Sequence, residues 1–297
     1  MIFVSTSNGV YVVDIEENKI LTKLAVDRSL EIFGICWSDY LGKPIFASRD
    51  RSWLYPLKKK STSCKLYAIS NDPDYLPVLV GKVRNVHDVH QIEATGSYVF
   101  LTDTSRNTIV VYNIEKGKTV SHIDIGDDRD DINHINALAI QNGFLLIGLN
   151  NRGYKNAQIL KIRLDQIDYT KKRQRGDLVG EFLELPGREH THDIFPFKDD
   201  YLVSASHNGV VFKAIQNEDC IVGGGWVRGL TDTDLYLWVG ESKKAERSKR
   251  HSSELSGAIN KYRKENFKKL ASIDLQGAGQ VNDLLYIENS KAKRKES

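Results

Sequence analysis

The sequence predicts an all-β chain folded as one six-bladed β-propeller. Three observations predict it. Apolar runs are short, β-branched or aromatic, and separated by Gly, Asn, Asp and Ser turns, with little helical periodicity. The strands recur in a fixed order. The two chain ends each supply the part of one repeat that the other lacks.

Taken in order, the chain opens in mid-unit. Strands at 2–5, 9–15 and 20–26 read as the second, third and fourth of a blade. A looser copy follows, from Gly34-Ile35-Cys36-Trp37 to Phe46-Ala47-Ser48. The clearest unit starts at His90-Gln91-Ile92 and turns at Thr95-Gly96-Ser97. It continues through Val99-Phe100-Leu101 and Ile109-Val110-Val111-Tyr112 to a fourth strand over 120–125. The template returns at Asn136-Ala137-Leu138, Asp193-Ile194-Phe195 and Arg228-Gly229-Leu230. In each, about nine positions separate the first residue from the second strand. The last strand, 281–287, stands alone and completes the blade begun at the N-terminus, leaving no open edge there. Two stretches, 245–255 and 261–270, carry a turn or two of helix-like pattern inside an insertion. Residues 1–289 thus form a single domain, and 290–297 a basic polar tail.

Composition narrows the function. Of 297 residues, 40% are hydrophobic and 27% charged, and the net charge of +3 gives no global field toward nucleic acid. Cys36, Cys64 and Cys220 are far apart, which disfavours a disulfide framework or a structural zinc site. No basic-then-apolar leader opens the chain, and no apolar run is long enough to span a membrane. A cytoplasmic, soluble protein is expected.

The segment His87-Asp88-Val89-His90 leading to Leu101-Thr102-Asp103-Thr104-Ser105-Arg106-Asn107 resembles a blade of NHL-type and WD40-like propellers. His134-Ile135-Asn136-Ala137-Leu138-Ala139, with Arg228-Gly229-Leu230 and Val239-Gly240-Glu241-Ser242, resembles a group of uncharacterised bacterial propellers. The architectural likeness spans nearly the whole chain, while these motifs span about a tenth of it. The group has no settled activity to carry over. The WD dipeptide of WD40 repeats is absent.

First strands line a propeller's channel, so superposing the repeats gathers distant residues. One position collects Gly34, His90, Asn136, Asp193, Arg228 and Asn282; two residues earlier lie Ile32, Asp88, His134, Thr191, Trp226 and Gln280. Alternation turns both sets toward the channel. Between them lie apolar Phe33, Val89, Ile135, Val227 and Val281, with His192 the exception, and His87 and His190 begin their strands. A ring of His, Asp and Asn from several blades can hold a divalent metal, with Asp88, His90, His134 and Asp193 as ligands. Six-bladed lactonase-type propellers place calcium at this spot with acidic and amide residues; the histidines here depart from that pattern. A metal would polarise an ester, lactone or phosphate oxygen, or activate water, with His90, His134 or His192 as general base. Arg228 would clamp an anionic group, with Trp226, Asn136, His207 and Asn282 around it. The same side chains equally suit hydrogen bonds between blades.

The loops around the ring carry Arg49-Asp50-Arg51, Arg106, Asn150-Asn151-Arg152, His207 and Glu241-Ser242-Lys243, a rim suited to an anion or to solvent. Asp103 reads as a turn residue. The basic runs at 58–60, 171–175, 243–250 and 291–295 read as solvated loops offset by acidic ones such as 127–131, so nucleic acid is not the expected partner. Two functions remain. One is a metal-assisted hydrolase or lyase acting on a small anionic molecule. The other is a non-catalytic scaffold that binds a protein or glycan with its rim.

Overall fold

The computed structural model describes residues 1–24, 30–50, 63–70, 74–126, 131–246, 249–250, 252 and 254–288. Six antiparallel sheets form the six blades of a β-propeller. Blade 1 is Leu30–Ser38, Lys43–Asp50, Ser63–Ile69 and Pro77–Arg84. Blade 2 is Ile92–Thr95, Tyr98–Asp103, Thr108–Asn113 and Lys118–Asp124. Blade 3 is Ile135–Gln141, Phe144–Leu149, Ala157–Arg163 and Glu181–Leu185. Blade 4 is Thr191–Phe197, Asp200–Ala205, Val210–Lys213 and Glu218–Val222. Blade 5 is Trp226–Asp232, Tyr236–Ser242, Gly257–Arg263 and Lys269–Leu275.

Blade 6 closes the ring from both ends of the chain. Val281–Tyr286 pairs with Ile2–Thr6, which continues into Gly9–Asp14 and Lys19–Leu24. Ile2 lies opposite Tyr286 and Val4 opposite Leu284. The Met1 ammonium donates to the Ile287 carbonyl at 3.0 Å, and the Ile287 N–H returns a bond to Met1 at 2.9 Å. The basic tail lies outside the described residues. The helix-like pattern over 261–270 is overturned. Those residues end one strand, turn and begin the next, because Tyr262 and Ile273 are needed in the wedges between blades. No described helix is long and apolar enough to cross a membrane.

The core is a set of interblade layers rather than one central mass. Ile109, Ile123, Ile147 and Leu160, for example, fill the wedge between blades 2 and 3. Each fully buried Phe or Ile contributes roughly 1.5–3 kcal/mol. Hydroxyls at the ends of second strands latch three of the blades to the next. Thr104 donates to the Ile135 carbonyl, Ser206 donates to the Val227 carbonyl at 2.6 Å, and the Ser242 hydroxyl accepts from the Val281 N–H at 2.8 Å. These latches fix the height at which the inner strands they hold begin, and so the height of the side chains around the channel mouth.

One glycine shows how tight that region is. A Cβ on Gly240 would stand 2.2 Å from the Arg228 carbonyl oxygen, a backbone atom with no room to retreat. Gly240→Ala is expected to cost about 2–3 kcal/mol, read as a lower urea midpoint with the β-sheet signal intact. An unchanged midpoint would mean that the backbone around Arg228 has slack.

Candidate functional site

Five of the six inner strands carry an irregularity near their start, and these irregularities set the geometry of the mouth. Pairing skips one residue between Phe33 and Ile35, between Ile135 and Ala137, and between Thr191 and Asp193. It skips Arg228 and Gly229 between Val227 and Leu230, and Asn282 in the pairing of blade 6. A bulged residue drops out of the ladder and re-aims its side chain. The bulge tier is therefore Gly34, Asn136, His192, Arg228 and Asn282. In blade 2, His90 takes this place, its N–H donating to the Thr102 hydroxyl at 2.8 Å.

This tier corrects the sequence register in blade 4. His192, not Asp193, occupies the ring position, and His190, not Thr191, stands two residues ahead of it. Thr191 is buried beside the bulge and pairs with Ala205. A bulge adds a residue without changing the apolar pattern, so a superposition by pattern slips by one. The second tier expected from the sequence, one residue ahead of the apolar position, holds Asp88 and His134, with His190 in place of Thr191. Asp88, His134 and His190 there all have left-handed backbone, with φ of 58°, 45° and 54°. Asp and His tolerate that region better than most side chains.

A cavity of about 440 Å³ opens where blades 3, 4 and 5 begin. His134, Asn150, Arg152, His190, His192, Ser206, His207, Trp226, Arg228 and Arg250 line it, and none of these is a carboxylate. Arg228 lies at its inner end, 8% exposed. Burial, with Arg250 and Arg49 nearby, pushes its guanidinium down to about 9, while Glu31 opposes them. It therefore keeps its charge at neutral pH. Its Nε has no partner, and no described carboxylate comes within ion-pair distance of it.

Arg228 fixes the state of His192. Arg228 Nη2 lies 2.8 Å from His192 Nε2, and His192 Nδ1 lies 2.7 Å from the His190 carbonyl. Guanidinium only donates and a carbonyl only accepts, so Nδ1 carries the proton and Nε2 the lone pair. Burial and Arg228 also hold this imidazole well below its ordinary value. Both ring nitrogens are engaged. His192 is thus corrected from a catalytic base to the neutral support of Arg228.

His134 is arranged differently. Its Nδ1 lies 2.9 Å from Asp131 Oδ1, and Arg152 pairs with the other Asp131 oxygen. The carboxylate acceptor is the nearer partner, with Arg152 Nη2 at 3.3 Å from the same nitrogen, so the proton sits on Nδ1 and the lone pair on Nε2. His190 and His207 lie side by side, ring centroids 5.1 Å apart. The His190 N–H is held by Asn150 at 3.2 Å, and burial and His207 lower its imidazole. Arg250 stacks its guanidinium 3.9 Å from the Trp226 ring centroid, and Arg228 lies 5.9 Å from the same ring.

The expected metal ligands do not form one donor set, although Asp88, His90 and His134 are neighbours. Asp88 forms an ion pair with Arg49, which also holds Glu31 at 3.1 Å. His90 packs edge-on against Phe33 and His134, its Nε2 3.6 Å from Asp88. Burial and Arg49 hold its imidazole well below the ordinary value. Asp193 lies one tier deeper, where its carboxylate accepts from the Leu230 and Ile194 N–H groups and faces Asp283. Among the described residues no three His, Cys, Asp or Glu side chains gather as a metal donor set. The residues present therefore do not fit the calcium or transition-metal centre that the ring suggested.

Of the ring residues, His134, His192, Trp226 and Arg228 line the cavity, as does His207 from the loops. His90, Asn136, Asn282, Asp88 and Asp193 do not. Asn282 instead donates across the closure to the Ile32 carbonyl at 2.6 Å, and Asn136 is buried with its amide unpartnered. Arg106 bonds the Asn85 carbonyl at 3.0 Å, away from the cavity, and Arg51 lies outside the described residues. Sequence reasoning missed Arg250, which comes from the insertion between the second and third strands of blade 5, and Asp131, which it read as loop charge.

No family model and no curated protein matches this chain. Solved structures do share its shape. A chain of a nidogen/laminin complex superposes with a TM-score of 0.63 at 12% identity, covering 95% of this chain and 96% of that one. A protein of unknown function from Bacteroides caccae gives 0.60 at 14% identity, over 95% and 97%. At such identities the likeness is one of fold: this chain is a six-bladed β-propeller.

Proposed function

We propose that this propeller binds a small organic anion, a carboxylate or a phosphate ester, in the cavity at the channel mouth. One observation carries the reading: Arg228 is a buried cation with no carboxylate partner among the described residues. A buried charge is costly unless paired. A ligand anion bonded to its guanidinium, including the unpartnered Nε, would offset that cost. Arg250 and Arg152 add positive potential, and Trp226 offers an aromatic wall. His134, oriented through Nδ1 by Asp131, has the arrangement of a general base toward a ligand held by Arg228. That arrangement suits proton abstraction or hydrolysis without a metal.

The test is a binding panel by calorimetry, using simple carboxylates and phosphate monoesters on the wild-type chain. Affinity for at least one such anion supports the reading; no binding across the panel removes it. His134→Gln is expected to retain anion binding within about threefold, since Arg228 supplies the anchor. Affinity is expected to rise as pH falls from about 7.5 to 5.5. His190 is neutral at the higher pH, held down by burial and by His207 and His134, with only Glu189 opposing them. Protonation near a bound anion becomes favourable, so binding takes up protons. Calorimetry in two buffers of different ionisation enthalpy measures that uptake.

A further inference from the structure

A second charged region lies on the side of the disc, away from the mouth. The outer strands of blades 1 and 2 diverge there and leave a wedge of about 850 Å³, lined by Lys82, Arg84, Arg106, Lys118, His122 and Arg173 among others. No acidic residue is part of that lining. Arg106 lies 3.6 Å from Asp103 and Arg173 is paired with Asp124, whereas no described carboxylate pairs with Lys82, Arg84 or Lys118. Arg106 ties the top of the wedge shut by bonding the Asn85 carbonyl across the blade boundary. The excess positive charge is local, set against a chain whose net charge is only +3.

The two walls of the wedge are treated differently by the chain. The outer edge of blade 2 is already covered. Gln174–Arg175 runs parallel to Lys118–Asp124 as a fifth strand, the His122 N–H bonding Lys172 at 3.0 Å and the Gly176 N–H bonding Asp124 at 2.9 Å. The outer edge of blade 1, Pro77–Arg84, has no such cover among the described residues, being the last strand of its sheet. Val78 and Leu79 in its first half, and Leu76 just before it, are between 51% and 57% exposed. An uncovered edge strand is a template for an added strand.

We propose that this wedge docks an extended acidic peptide segment of a partner protein, which adds as a fifth strand along Pro77–Arg84. Main-chain bonds to the free edge would give the segment its register. Its acidic side chains would meet Lys82, Arg84 and Lys118, and its apolar ones Leu76, Val78 and Leu79. The strap over 174–175 shows the same docking made by the chain itself on the neighbouring blade. A peptide fits better than single-stranded nucleic acid. Bases need exposed aromatic faces to stack on, and the aromatic ring at the wedge, Tyr112, is only 2% exposed.

The test uses a fluorescein-labelled peptide of about eight residues, alternating Glu with Val, a typical strand length. Fluorescence anisotropy is measured on the full chain. Binding is expected, weakened about tenfold or more in the double variant Lys82→Glu with Lys118→Glu, and weakened by salt because exposed charges are screened. Both positions are exposed, so folding should survive the reversals. Amide hydrogen exchange should show new protection over 77–84 when the peptide is bound, and Arg228→Met should leave the peptide affinity unchanged. Absence of binding would overturn the proposal, as would equal affinity in the double variant or protection elsewhere. Binding of an oligothymidine control in place of the peptide would also overturn it and make the wedge a nucleic-acid contact.

Discussion

Arg228→Met is expected to reduce anion binding by a hundredfold or more while leaving the fold as stable as before. The two halves of that result come from the same fact. A guanidinium bonded to an anion in a largely buried site is a charge-assisted contact, worth well over 1 kcal/mol and often bidentate. Losing it, together with the charge, removes about 3 kcal/mol of binding, which is the hundredfold. In the free protein, however, Arg228 brings cost rather than support. It is 8% exposed, its Nε is unpartnered, and its close polar neighbour among the described residues is the neutral His192. Replacing such a charge with an apolar side chain of similar length is often neutral or stabilising. The price is the His192 Nε2 left without a donor, about 1 kcal/mol. Calorimetry with the ligand found by the panel, and urea denaturation of both proteins, measure the two quantities. Unaltered affinity in the variant, or a collapse of stability with no change in affinity per folded molecule, would show that Arg228 is a structural post.

The separation of roles within the ring was only half legible in the sequence. The blade count was readable because strand order and the divided last blade follow from hydrophobic patterning, which is what builds the interblade layers. The tier of side chains at the mouth depends on bulges, and a bulge leaves no hydrophobic trace. In blades 2 and 3 the pattern still superposes correctly, so His90 and Asn136 fall where expected. In blade 4 the run Thr191-His192-Asp193 offers two polar candidates, and only the pairing of Thr191 with Ala205 and Asp193 with Ser204 identifies His192 as the bulged one. Electrostatic partners were less readable still. Asp131 reaches His134 because its own backbone is left-handed, with φ of 54°, and Arg250 reaches Trp226 from a long insertion. Neither has a period or a motif. The donor set was no more readable. Residue types that suit a donor set converged in one dimension, but Asp88 and Asp193 turned to Arg49 and to backbone N–H groups instead.

Below the mouth, Asp283 is expected to make stability fall as pH rises from about 5 to 8, and Asp283→Asn to flatten that fall. Asp283 belongs to blade 6 and is 3% exposed. Its carboxyl accepts the Ile35 N–H across the ring closure at 2.8 Å and the Leu284 N–H at 2.8 Å. Those bonds favour the anion, yet burial outweighs them and raises the group from 3.8 to about 7. Asp193, raised by burial and the charge of Asp283, and Glu93, raised by burial and the charges of Asp283 and Asp193, keep the channel poor in negative charge. Between about pH 4 and 7 the folded state therefore holds a proton that the unfolded chain has released. Raising the pH pulls that proton off, and stability declines by a few kcal/mol across the window before levelling above it. An asparagine has no such proton to lose. It keeps one acceptor for Ile35 but turns an amide toward the Leu284 N–H, so it should be about 1 kcal/mol less stable than the wild type near pH 5. Near pH 8 it should equal or exceed the wild type. Asp103, likewise raised to about 7 by burial, titrates in both proteins, so the difference between the two urea-midpoint curves reports Asp283 together with Asp193 and Glu93, which its charge raises. Parallel curves, or a wild type that gains stability from pH 5 to 8, would mean that Asp283 is charged in the folded ring and that its two N–H bonds prevail over burial.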